Sequence, residues 1–590
     1  MSLILSTSLN EEEENTKYIS YSYLKLKRKN LKSKILINHP WNDYKIFYKD
    51  YGVINNIYAK NLDILKKVLN RFHNTNKNTR YWEILLGPWL HLIIVAYVEK
   101  KLIIEKLLKL KKKIRIIIFD FNNNDFISKD FHHFLKFNLK SENWQNFLFS
   151  YILKNKNIPK NIKTYLKKKS INRNFSNEYI INKKDSSKLI SFLKINILKI
   201  YLMVINFFNK KKRIVFFDTY LGKKNNLKLI TKHSAIFLNI EEDKSFKKPD
   251  KYLRNKLQQQ IPNNYKSELL NFIILNLPSD FIENFKNVGL RVSKIFNNPD
   301  VILTNSGFYG SSIKSRYIAE SVFKGSKLIL NQHGGKCGHH NVNFTDDYET
   351  KISDKYLSWG WKNKKYNGIK KCGIIKDLSK IERLRSNAKK KDKIVFFMLQ
   401  KGRFTKYYDY EINSKYLYAY YSNVCPGYYA SLKDELKKKF IFRISKENNH
   451  WKEIDYIKSN FNNIHISKKK DEYFKHVSMA RICICSYLAT TFLEMMAANV
   501  PVILFVPFPK KIYNLTTLKK FKIMKKNNIF FENYKDAAKF VNKNWNNIDD
   551  WWFSRSVQNA RKEFINTFAC VNQNILNSIA IELKKGSFKR

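Results

Sequence analysis

Four stretches of the chain set chemistry-bearing side chains directly after apolar runs. In SYLATTFLEMMAANVPVILF (Ser486 to Phe505), an apolar strand ending at Cys485 meets the small hydroxyls Ser486, Thr490 and Thr491. A helix is expected to start near Thr490 or Thr491. Backbone amides at a helix N-terminus, joined by hydroxyls, hold phosphate well. Glu494, about one turn in, can accept hydrogen bonds from ribose hydroxyls. The same spacing also fits a plain N-capped helix, with Thr490 as the cap and Glu494 near the positive end of the dipole. FRISKENNHW (Phe442 to Trp451) brings Arg443, Lys446 and His450 after another strand, suited to a diphosphate or to a solvated charged loop. QKGRF (Gln400 to Phe404) offers Lys401, Gly402 and Arg403 in a short anion-friendly loop.

The fourth stretch is LILNQHGGKCGHHNVNFTDDYETKISDKYLSWGW (Leu328 to Trp361), where a chain with 16 glycines and 12 histidines concentrates both. Gln332, His333, Gly334 and Gly335 follow the strand. The glycines allow positive φ or close approach of backbone to a ligand. His333 at a strand end can serve as base, acid or oxyanion partner. Glu349 and Asp354 are the nearby carboxylates that could orient His333 or deprotonate an acceptor hydroxyl. An ordinary glycine turn remains a simpler reading. The H-x3-C-x-H-H spacing matches no usual structural zinc pattern and has no second paired half, so no metal site is assigned. No Asp-x-Asp motif stands out, and the sequence does not require a divalent metal.

Elements that position these residues recur in order. SLILSTSL (Ser2 to Leu9) reads as a buried strand and KILINHPW (Lys34 to Trp41) as an extended segment. A helix is expected over about Val53 to Arg71. KIRIIIFD, KRIVFFDTYLG, PDVILTNSGFYGSS and SKLILNQHGG are continuous apolar strands ending in polar loops, the last two flanking a helical stretch at about Ile313 to Phe323. Strands apolar throughout, alternating with helices, indicate parallel sheet covered on both faces. After a composition break at LRSNAKKKDK (Leu384 to Lys393), a second α/β series begins. The predicted fold class is α/β, two Rossmann-like doubly wound lobes facing a cleft. The expected domains are 1–384 with helical insertions, 385–545, and a helical tail 546–590 packing back on the first lobe. In such folds ligands sit at the carboxyl ends of strands.

The 590 residues carry 111 Lys and Arg against 49 Asp and Glu, a net charge of +62. The lysines are scattered among Asn, Ile, Tyr and Phe, which fits codon drift better than the clustered footprint of a nucleic-acid binder. No nucleic-acid partner is expected, although an anionic membrane surface would attract such a chain at low salt. Six cysteines without a CxxC pair indicate a reducing compartment, most simply the cytoplasm. The N-terminus lacks the basic start of a signal peptide. The most apolar stretch, Tyr81 to Leu108, is interrupted by Glu83, Gly87-Pro88 and His91, and reads as a buried helix rather than a span.

Taken together, HPWNDYKIFYKDY, RYWEILLGPWLH, the His333 loop through SWGW, SYLATTFLEMMAANVPVILF and WWFSRSVQNARKEF resemble, in that order, the surface-carbohydrate transferases of bacteria. The likeness covers nearly the whole chain and implies a GT-B-like fold. A looser similarity extends to capsule Kdo-transferases and CDP-glycerol glycerophosphotransferases. It implies that His333 is the catalytic histidine, Ser486, Thr490 and Thr491 the donor-phosphate loop, and Glu494 the ribose-binding acid. Leu488-Ala489 stands where relatives carry Asn-Ser, and Ile444-Ser445 where they carry a Tyr-Pro-like pair. The expected function is transfer of a sugar from a nucleotide-sugar donor, CMP-linked among the options, to a surface-polysaccharide or lipopolysaccharide acceptor (glycan or glycolipid). An inverting displacement is expected, with no further cofactor, in the cytoplasm or at the inner face of the membrane. Two alternatives stand beside it: a CDP-linked glycerol- or ribitol-phosphate transferase, and a non-catalytic basic scaffold for anionic polymer or membrane.

Overall fold

The computed structural model describes residues 2–5, 16–18, 37–169, 171, 214–233, 235–240, 247–295, 298–309, 311–376, 378–388, 390–399, 401–406, 408, 414–444, 451–461, 464–467 and 472–587. Gln400, Lys446 and His450 lie outside them, as do 6–9 and 34–36 of the first two expected extended segments. The chain divides into two compact units that alternate along the sequence. Unit one comprises Met1–Tyr51, Gln332–Asp347 and Leu357–Ile575; unit two comprises Gly52–Asn331, Tyr348–Tyr356 and Leu576–Arg590. These breaks do not coincide with the expected 1–384, 385–545 and 546–590 partition: Met1–Tyr51, Gln332–Asp347 and Leu357–Leu384 group with the expected donor half in unit one.

Unit one is built on a six-stranded sheet. Its spatial order is His465–Ser467, Phe440–Arg443, Lys393–Phe397, Ala480–Cys485, Val502–Phe505, Phe530–Phe531. Every neighbouring pair is parallel. Counted in chain order, that is 3-2-1-4-5-6, the strand order of a doubly wound Rossmann sheet. The three central strands are buried almost throughout, so their β-branched and aromatic side chains meet helices on both faces. The direction of winding reverses between Lys393–Phe397 and Ala480–Cys485, which opens a crevice beyond Phe397 and Cys485.

The tail does not behave as a single element. Trp552 is fully buried and its indole donates to Asn499 Oδ1 at 2.9 Å, while the Trp551 indole donates to the Asn527 carbonyl at 3.0 Å. Arg561 donates to the Met496 carbonyl at 2.6 Å. The first part of the tail therefore seats on the expected donor half, while Cys570 donates its N–H to the Trp359 carbonyl at 2.7 Å and accepts the Ile374 N–H at 2.8 Å, two residues of the segment 1–384. The remainder, from Leu576, belongs to unit two, where Glu582 pairs with Lys355 at 2.9 Å.

In unit two the strands run Ile236–Phe237, Ile214–Phe216, Val301–Thr304, Lys327–Asn331 and then the start of Lys355–Ser358, the first four of them parallel. In chain order this is 2-1-3-4-5, the other common doubly wound arrangement. Strands Ile114–Asp120 and Ile162–Lys168 pair in parallel over seven residues each, within a four-stranded sheet. The helix Thr79–Leu108 forms much of the core, with 94% of its most apolar window buried. Its buried Glu99 and Lys100 pair with each other at 2.8 Å, as ionised groups out of water must.

Candidate active site

The His-Gly-Gly loop and the Thr490 helix meet inside unit one, at the crevice where the winding reverses. The helix runs Thr490–Ala497, and its N-cap is Ala489, extended and without a side-chain cap bond. The alternative in which Thr490 caps the helix is thereby excluded. The Thr490 hydroxyl instead accepts the Gly335 N–H at 2.8 Å. A Cβ on Gly335 would stand 2.4 Å from the Thr490 nitrogen and 2.7 Å from the Ala489 carbonyl carbon. Only glycine lets the loop reach this helix end. Thr491 follows in the first turn, half-buried.

Gln332 explains why the loop and the distant Trp-Gly-Trp occur together. Its amide nitrogen donates to the Gly334 carbonyl at 2.7 Å. Its amide oxygen accepts the Trp359 N–H at 2.8 Å and the Trp361 indole at 2.9 Å. Its carbonyl accepts the Trp359 indole at 3.0 Å. Gly338, at φ +81°, lies so close to the Trp361 indole that a Cβ would approach within 2.3 Å. The remaining polar groups of the loop are committed locally. Gly338 N–H donates to Asp346 at 2.8 Å, His339 Nε2 lies 2.7 Å from the Gly335 carbonyl, and His340 stacks on Tyr513. Among the described residues, no group of three or more His, Cys, Asp or Glu is arranged to hold a metal ion.

His333 is held far below the ordinary imidazole pKa, at about 4, first by burial and then by the charge of Lys376. The imidazole is neutral at physiological pH and can accept a proton. Burial raises the carboxyl pKa of Glu494, against the hydroxyl of Tyr473, which donates to it at 2.7 Å, and the charge of Lys376. One ammonium group is thus electrostatically coupled both to the histidine and to the helix carboxylate. Lys376 escaped the sequence reading because nothing in CGIIKD distinguishes it in so lysine-rich a chain.

The other predicted residues separate by task. The Ser486 hydroxyl is buried and bonded to Tyr420 at 2.5 Å and to the Phe397 carbonyl at 3.2 Å, so it joins the two strand ends rather than facing outward. Arg443 donates to Ser467 at 3.0 Å, and Ser467 donates to Glu472 at 2.6 Å, which ties the guanidinium to the neighbouring edge strand. Lys401 is anchored through its backbone, its carbonyl accepting the Trp451 indole at 3.1 Å. Arg403 is 2% exposed and lies over the Phe404 ring. A narrow cavity of about 20 Å³ opens beyond three adjacent strand ends and is lined by Leu399, Ser486, Tyr487, Val506, Phe508 and Tyr513.

Glu349 and Asp354 belong to unit two, whereas His333 belongs to unit one. Glu349 is fully buried. Asp354 is occupied by Arg80, whose Nη2 donates at 2.8 Å, and by the Leu328 N–H at 2.8 Å. Holding a strand start and a guanidinium, Asp354 is a poor candidate for deprotonating an acceptor, contrary to the expectation.

The sequence model of the LIC12162 family transferases matches residues 17–583. Curated proteins give no match. Among solved structures, Acinetobacter baumannii MurG aligns at 12% identity over 63% of this chain and 99% of its own, with a TM-score of 0.35. A variant of the wall teichoic acid polymerase TagF aligns at 11% identity over 64% and 89%, with a TM-score of 0.29. The UDP-GlcNAc 2-epimerase from Neisseria meningitidis, bound to UDP-GlcNAc, aligns at 10% identity over 60% and 98%, with a TM-score of 0.33. At such values the fold is read from the strand order of this chain itself.

Proposed function

This chain belongs to the LIC12162 family of transferases, and from that premise we propose that it is a GT-B-like glycosyltransferase using a nucleotide-sugar donor. The observation that carries the reading is the seat of the His333-Gly334-Gly335 loop on the N-terminus of helix Thr490–Ala497, at the reversal point of a Rossmann-ordered sheet. Amides at that helix end suit a diphosphate, and Lys376 adds a full charge beside it. Glu494 is placed one turn in to accept ribose hydroxyls. The neutral His333 takes the proton of the acceptor hydroxyl as its oxygen attacks the anomeric carbon. The bond from that carbon to phosphate breaks, and the nucleotide leaves with the negative charge that Lys376 and the helix dipole stabilise. In this reading the acceptor is a glycan or glycolipid of a cell-surface polymer, and the reaction takes place in the cytoplasm at the membrane face.

A thermal-shift panel of CMP, CDP, UDP, GDP and dTDP on wild type, Glu494→Ala and Lys376→Met tests this. Selective stabilisation by one nucleotide, lost in both variants, is expected. No response to any nucleotide would sink the donor site and favour the basic scaffold.

A further inference from the structure

Unit two contains a cavity of about 670 Å³ that the transfer chemistry does not use. It opens at the carboxyl end of strand Ile114–Asp120, the edge at which parallel α/β folds bind ligands. Its volume falls within the range of small-molecule sites. We propose that this cavity is a carbohydrate-binding site that takes neutral sugar residues of a glycan. The proposal stands on this cavity's own geometry and survives failure of the donor-site reading.

Three kinds of lining residue carry the argument. Phe121, Phe147 and Tyr151 contribute aromatic walls, and Phe121 and Phe147 are fixed against Phe126 at ring separations of 5.3 and 4.7 Å. Asn123, Asn124, Asn155 and Asn255 bring primary amides to the same cavity from a turn and two helices, the Asn155 nitrogen also donating to the Tyr151 carbonyl at 2.9 Å. Two of the three lining cations are held in ion pairs. Lys154 pairs with Asp120 at 2.7 Å. Arg254 grips Glu283 with two bonds, of 2.7 and 3.0 Å, and donates two further N–H groups to the Leu275 and Leu277 carbonyls.

A phosphate or carboxylate ligand needs cations that are not already neutralised. Lys154 and Arg254 are engaged, and Lys251, the third lining cation, is exposed at the start of its helix, so most of the recognition chemistry left to the cavity is that of amides and rings. A primary amide offers a donor pair and an acceptor, which matches adjacent sugar hydroxyls. An aromatic face takes the apolar C–H face of a pyranose. Apolar walls with convergent polar groups fit an uncharged polyol better than a purely apolar or an ionic ligand.

The test uses the full chain and saturation-transfer NMR with glucose, galactose, mannose and N-acetylglucosamine, with glucuronate and inorganic phosphate as charged competitors. At least one neutral sugar is expected to bind. Affinity is expected to fall about tenfold in the double variant Asn155→Ala/Asn255→Ala, since two amide contacts are removed. Asn255 is exposed on a helix, and alanine there favours the helix, so that single variant serves if the double variant unfolds. A photoreactive diazirine derivative of the bound sugar is expected to label peptides containing residues 119–127, 147–155 or 251–255. Binding of no neutral sugar, equal affinity in the variants, labelling elsewhere, or preference for glucuronate or phosphate would each overturn the proposal.

Discussion

Gln332 and Lys376 show how differently two residues of one site register in a sequence. The histidine and glycines beside Gln332 mark a loop worth attention, because residues of those types in that order have few dull uses. The contact that organises the loop was not legible. Gln332 reaches Trp359 and Trp361 across 27 and 29 positions, and no local periodicity encodes such a bond. Gln332→Leu keeps most of the volume but leaves the Trp359 N–H, the Trp361 indole and the Gly334 carbonyl without this partner. A loss of about 3 kcal/mol is expected, with unchanged m-value, in denaturant unfolding followed by tryptophan fluorescence. Lys376 acts through charge instead. It helps to hold His333 down at about pKa 4, so removing it lets that value rise toward the ordinary 6.5. His333 must be unprotonated to accept a proton. Lys376→Met should therefore move the acid limb of the turnover–pH profile to higher pH, besides weakening nucleotide binding. An unmoved acid limb with normal folding would remove Lys376 from the neighbourhood of the base.

At the scale of elements, the strands were the most legible feature and the links between them the least. Runs such as IVFF, RICIC and VILF could be buried only as central parallel strands, and they are. Their order, 3-2-1-4-5-6, puts the Thr490 helix beside the reversal point. The carboxylates of the segment 349–354 were harder to read, because a buried acid looks the same in sequence whether it works on substrate or on backbone. Asp354 works on backbone: it receives Arg80 and the N–H of Leu328, at the start of a strand of unit two. Asp354→Asn should cost about 1–2 kcal/mol, discounted because the pair is partly exposed. The nucleotide affinity of unit one should be retained. A thermal midpoint combined with nucleotide titration checks both halves. Full stability with abolished turnover would restore Asp354 as a catalytic base.

For the molecule as a whole, the composition of buried titratable groups decides behaviour in acid. Burial pushes His73, His333 and His339 down to about 4 and His91 to about 3. Between those values and 6.5 the unfolded chain binds protons that the folded chain refuses, so stability falls as pH falls through that window. From pH 7 to 5 each histidine contributes a loss of about 2 kcal/mol. Two aspartates act in the opposite sense. Burial raises Asp346 to about 7 and Asp130 to about 6, so their folded forms take up protons first, and acidification returns roughly 4 kcal/mol in total. Among these six groups the histidines prevail, with a net loss of about 4 kcal/mol over that range. Protonation also adds to a chain already at +62, and that long-range repulsion is screened by salt while burial of a histidine is not. Acid sensitivity measured at high ionic strength therefore isolates the buried groups. His91 is the cleanest probe, being fully buried in helix Thr79–Leu108 with burial as the cause of its shift. His91→Leu should shrink the stability difference between pH 7 and pH 5 by about 2 kcal/mol in matched denaturant titrations at high salt. An unchanged difference would mean that water reaches His91 in the folded protein, and that this helix is less tightly enclosed than its packing implies.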